Sequence, residues 1–132
     1  MGNRAVIALN DYSPEQLGIY VHWNGGKDSI DGFLHAAKQI SGGDKQYGST
    51  RLVQVITTFF AETSTSVGID LQKNLDCDNY DNGVYVVDTS TFEITNRHFK
   101  RHSEQLVHNS EELGDEIIKA INAGIEATKD EE

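Results

Sequence analysis

The sequence predicts an α+β domain: a mostly antiparallel sheet of about five strands, helices packed on one face, and a further helix at the C-terminus. Three observations predict it. Short apolar runs rich in β-branched residues recur over the first hundred positions, the first two joined by too few residues for a helical crossover. Between those runs, two segments repeat apolar residues at helical spacing. The last thirty positions carry a single apolar stripe on an acidic background.

Arg4 to Leu9 reads as the first strand, and the only proline follows in a Ser13-Pro14 turn that suits its fixed φ. Leu17 to Trp23 reads as a second strand, antiparallel to the first. The chain then passes Asn24-Gly25-Gly26-Lys27-Asp28-Ser29 into a helix on which Ile30, Phe33, Leu34 and Ala37 form one stripe, with Asp28 or Ser29 as its cap. Gly42 and Gly43 end it. Ser49 or Thr50 is the expected cap of a second helix carrying Leu52, Val55, Ile56, Phe59 and Phe60. Ser66 to Leu71 reads as a strand with Val67 and Ile69 inward. Gly83 to Asp88 and Phe92 to Phe99 read as a hairpin around Thr89-Ser90-Thr91. Last comes a helix capped by Ser110, striped by Leu113, Ile117, Ile121 and Ile125. The expected organisation is one domain, a ligand-binding body over 1–102 and an acidic helix over 103–132. The narrow stripe of that helix leaves pairing with another copy open, so a homo-oligomer is expected.

A chain of 132 residues, 37% of them hydrophobic, can bury one core and not two. No run approaches the ~20 apolar residues that span a bilayer, and the N-terminus lacks a signal pattern. Cys77 stands alone, so no internal disulfide is possible and a cytoplasmic location is expected. The net charge is -10. From Ser103 onward nine acids face two lysines, whereas the first 102 residues hold twelve acids and nine bases. Such a field repels a nucleic-acid backbone, so no polymer is expected as partner, while a local anion pocket in the nearly neutral body is allowed.

The glycine corner is the strongest chemical signal. A strand that feeds two glycines and a lysine into a helix start offers outward N–H groups, close backbone approach and one positive charge. Asn24 to Ser29 resembles the Ser-Gly-Gly-x-Asp-Ser motif of the PP-loop ATP pyrophosphatases, which would make Gly25, Gly26, Asp28 and Ser29 phosphate contacts. Asn24 replaces the serine, and the larger parallel sheet of that family is not predicted. The bland alternative is a turn and a cap. Asp76, Asp78, Asp81 and Asn82-Gly83 resemble a calcium loop, but Tyr80 takes a ligand position and no bidentate Glu follows. The five histidines do not fall at zinc spacing, and the acidic neighbours of Cys77 disfavour a thiolate. No metal, cofactor or catalytic residue is assigned.

MGNRAVI, HWNGGKDS, YGSTRL and DCDNYDNGVY together resemble a widespread group of small phage and prophage proteins over roughly the first hundred residues. The size and viral setting are similar to immune-evasion proteins, among them the anti-CBASS sponges that sequester cyclic nucleotides. The function expected is therefore a non-enzymatic, host-cytoplasmic binder of a nucleotide signal such as a cyclic dinucleotide. Phosphates would sit on Gly25, Gly26, Lys27 and Ser29, helped by Arg51. Bases would stack on Trp23 or Tyr80 and hydrogen-bond to Asp78, Asn79 or Asn82. The alternative is an acidic, anti-CRISPR-like inhibitor whose C-terminal helix occupies a basic channel of a host enzyme.

Overall fold

The computed structural model describes residues 2–41, 46–63, 65–98 and 110–130, the last seven of these by backbone alone. Gly42, Gly43, Phe99 to His102, His108 and the Ile125 side chain lie outside the described residues. The order of elements is β1 (Ala5–Leu9), β2 (Leu17–Val21), α1 (Lys27–Ser41), α2 (Gly48–Phe59), β3 (Val67–Leu71), a 3-10 turn (Gln72–Asn74), β4 (Val84–Asp88), β5 (Glu93–His98) and α3 (Ser110–Asp130). The five strands form one sheet in the order β3-β2-β1-β4-β5. Three of its four pairings are antiparallel and one, β1 with β4, is parallel. The predicted α+β class is the observed one.

β1 lies at the centre and is buried on both faces, the physical reason that its sequence is apolar without alternation. Ala5, Ile7 and Leu9 face the helices with Ile19, Val21, Tyr85 and Val87, and Phe33, Leu52 and Ile56 fill the space above them. Val6, Ala8, Val84 and Val86 face the other way, against Tyr20, Leu75 and Cys77. The segment after β3 therefore crosses the outer face of the sheet before β4 begins. Gln72, 2% exposed, anchors it by donating to Asp11 O and Leu17 O.

α3 turns Leu113, Ile117 and Ile121 into the same core, so that stripe belongs to the domain and is not offered to another copy. A Cβ at Gly114 would stand 2.8 Å from Gly32 O, and one at Gly32 would stand 2.9 Å from Ser110 O. α1 and α3 thus touch backbone to backbone, as only glycine permits. Ser110 opens α3 as expected, but its hydroxyl donates to Asp28 O at 2.8 Å and pins one helix start to the other.

Three local expectations are corrected. α2 starts at Gly48 behind Tyr47, with no side-chain cap, because Gly48 is pressed against the Thr89 carbonyl and that contact sets the helix start; Ser49 and Thr50 fall inside the first turn. α1 starts at Lys27, where Ile30 N–H donates to Gly26 O, so Asp28 and Ser29 also lie in the first turn rather than before it. Ile69 faces the helix side but remains 47% exposed, since β3 is an outer strand beyond full helix cover.

Gly114→Val should overpack the α1–α3 crossing and destabilise the domain by about 2 kcal/mol. Urea unfolding followed by circular dichroism measures this, and an unchanged midpoint would contradict the backbone contact.

Candidate functional site

The glycine corner forms between β2 and α1, and the fold uses most of it. Asn24 adopts φ 59, and its amide lies 3.3 Å from Ser29 Oγ. Gly25 N–H donates to Asn3 O at 2.8 Å, while Gly25 O accepts the Tyr85 hydroxyl at 2.7 Å. A Cβ on Gly25 would come within 2.5 Å of Asn3 O and 2.8 Å of Ala5 Cβ. Close approach is what Gly25 supplies, but it is an approach to β1. Gly26, Asp28 and Ser29 are buried. Lys27 is exposed and its ammonium sits 2.6 Å from Asp31 one turn on. Trp23 stands beside the corner, 45% exposed, edge-on to His22.

Arg51 is at the other end of the domain. α1 runs away from the corner for fifteen residues, roughly 22 Å of helix, before α2 begins. Arg51 there donates toward Gln54 and lines a crevice of about 780 Å³ with His35 and Glu111. Lys27 and Arg51 do not meet on one phosphate.

The 76–83 loop does come to the corner's end of the sheet. Asn82 donates to Asn3 Oδ1 at 2.6 Å and to Arg4 O at 3.0 Å, so the loop and the corner are tied through adjacent residues. Asn79, 1% exposed, is the hub of the loop. Its carbonyl oxygen accepts the N–H groups of Asp81, Asn82 and Gly83, and its amide donates to Asp76 O and Gly83 O. Arg4 Nε pairs with Asp81 at 2.7 Å, and Arg4 Nη1 lies 3.5 Å from Asp76. These side chains hold an Asx-rich turn against β1 and β4. Asp78 and Tyr80 project from it. Tyr80 is 59% exposed at φ 63, a left-handed backbone that bulky residues adopt rarely.

An open cleft of about 660 Å³ lies between this loop and β5 on the outer face, lined by Tyr12, Asp78, Tyr80, Arg97 and His98 among others. Tyr12 and His98 stack with ring centroids 4.4 Å apart. Arg97 borders the cleft, but its pairing with Tyr85 sends the guanidinium to the helix face, where it lies 4.0 Å over the Tyr85 ring and donates to Asn82 O at 3.2 Å. Burial lowers the Arg97 pKa, opposed by Tyr85. Burial raises the Tyr85 hydroxyl well above the ordinary tyrosine range, which suits its role as a donor to Gly25. Cys77 borders the cleft; burial and then Asp76 raise its thiol, a poor setting for a nucleophile.

Of the expected contacts, the structure brings Asp78, Asn79 and Tyr80 to this cleft, buries Asn79 and Asn82 in hydrogen bonds of the fold, and leaves Arg51 remote. Tyr12, Arg97 and His98 were not expected there. A basic run around Arg97 and His98 is visible in the sequence, but nothing in it announces that Tyr12 crosses the sheet to meet them.

Comparison of the chain with protein-family models, curated proteins and solved structures gives no match.

Asn79→Ala should cost about 3 kcal/mol, since several buried backbone groups lose their partner at once. Chemical denaturation measures it; a loss below about 1 kcal/mol would mean that the loop holds itself without this hub.

Proposed function

We propose that the protein is a non-catalytic binder of a small nucleotide-type ligand, of the cyclic di- or oligonucleotide class, seated in the outer-face cleft. The observation that carries this reading is the meeting of exposed aromatic rings in one opening beside β5. Tyr80 and the Tyr12–His98 stack supply faces for a base, and Asp78 at the rim is of the kind that hydrogen-bonds a base edge. The volume, about 660 Å³, lies within the usual range for small-molecule sites. The left-handed backbone at Tyr80 supports it further, because a loop that holds an exposed ring against its preference is spending stability on something other than packing. The glycine corner is not part of this site, since the Gly25 polar atoms serve the fold and Lys27 has Asp31. On this reading the purpose of such binding is sequestration of a host signal.

A second reading has its own support. With Leu113, Ile117 and Ile121 in the core, α3 holds Glu111, Glu112, Asp115 and Glu116 on its exposed side. That fixed acidic face suits the basic channel of a nucleic-acid-binding defence enzyme. Deleting 103–132 would remove core residues as well as charge, so reversal of Glu112 and Glu116 to Lys is the cleaner probe.

Isothermal titration with a panel of cyclic dinucleotides and mononucleotides tests the first reading. Tyr80→Ala should weaken binding about 10-fold, the order expected for loss of one stacked base. Lys27→Ala should stay within about 2-fold, as an exposed ion pair contributes little. No heat across the panel removes the reading, and a loss in Lys27→Ala without one in Tyr80→Ala returns the phosphate to the corner. Salt-sensitive capture of a nuclease, abolished by the double reversal, would establish the second reading instead.

A further inference from the structure

The two outer strands of the sheet are unlike. β5 breaks register between Val86 and Val87 with a bulge, where Thr95 Oγ1 lies 3.2 Å from Val86 O, and it carries Glu93 and Arg97. Bulges and charges are what keep an edge from pairing with another chain. β3 has no bulge and little charge. It pairs with β2 in unbroken register from Leu17↔Leu71 to Val21↔Val67, and its one charge is Asp70. His22 N–H donates to Ser66 O and Gln72 N–H donates to Gln16 O, which places the even-numbered residues of β3 in hydrogen-bonded pairs with β2. By the antiparallel alternation, Val67, Ile69 and Leu71 turn their backbone N–H and C=O groups to the open side. Their side chains share the helix face, where Ile69 is 47% exposed and the adjacent Leu17 49%.

We infer that this edge binds a second copy of the same chain, β3 against β3, antiparallel about a two-fold axis at Ile69. The strand is self-complementary in that arrangement. Val67 falls opposite Leu71 of the second copy, Ile69 opposite Ile69, and Gly68 opposite Asp70, so no like charges face each other. Gly68 supplies the independent observation. Its φ is ordinary, and a Cβ there would meet nothing within 4 Å, so the single chain gives no reason for a glycine where it weakens a strand. In the pair, its missing side chain leaves room for Asp70 of the second copy. Ile69 exchanges both backbone bonds across the axis, and Val67 N–H donates to Leu71 O on each side. Leu71 N–H keeps its own bond to Asp70 Oδ1 at 2.7 Å. The exposed Ile69 and Leu17 of both copies then meet on one face. α3 offers no competing surface through its stripe, which the core consumes.

Sedimentation equilibrium over a hundredfold range of concentration tests this, at moderate salt so that the repulsion between two chains of charge -10 is screened. The wild-type mass should climb from 14.6 kDa toward twice that value. Ile69→Lys, at a half-exposed site, should hold the single-chain mass with an unchanged circular dichroism spectrum. Hydrogen exchange gives the second readout: the amides of Val67 and Ile69 should be protected at high concentration and exposed on dilution. A wild-type mass of 14.6 kDa throughout overturns the inference, as does a dimer that Ile69→Lys leaves intact.

Discussion

The hydrogen bond from the Tyr85 hydroxyl to the Gly25 carbonyl is the interaction on which the lower end of this domain depends. It spans sixty residues of sequence, lies wholly buried, and fixes the β2–α1 corner beneath the β1–β4 pair. Because Gly25 N–H is held by Asn3 at the same time, the corner is closed from both sides. The Tyr85 ring then carries the Arg97 guanidinium on its face, so the same residue that closes the corner also ties β5 to it. One tyrosine thus commits the glycine corner to the fold.

The 76–83 loop makes a similar division of labour. Four acids and amides that read as ligands in the sequence hold the loop to β1 and β4: Asp76 and Asp81 through Arg4, Asn79 through its five backbone bonds, and Asn82 through Asn3 and Arg4. This interior work is what allows Asp78 and Tyr80 to stand outward. A polar loop packed over a sheet must satisfy its own backbone, and side-chain amides are the economical way to do it.

Edge chemistry completes the picture. Two strands end the sheet, one interrupted by a bulge, the other regular and carrying Asp70 as its one charge. The contrast is a property of sequence expressed only after topology makes β3 an outer strand.

The sequence by itself determined the class, the element order and the core-facing stripes of α1, α2 and α3, because periodicity and turn residues are local signals with direct physical meaning. It also marked the two polar loops at which a site was expected. Tertiary structure alone decided what those loops do. Glycines at a helix start read identically whether they admit a phosphate or a neighbouring strand, and only the position of Asn3 and Ala5 distinguishes the two. The start of α2 followed the same logic, set by the contact at Thr89 rather than by a capping side chain. Tyr12 and His98 meet across 86 positions, a distance over which no local pattern carries information.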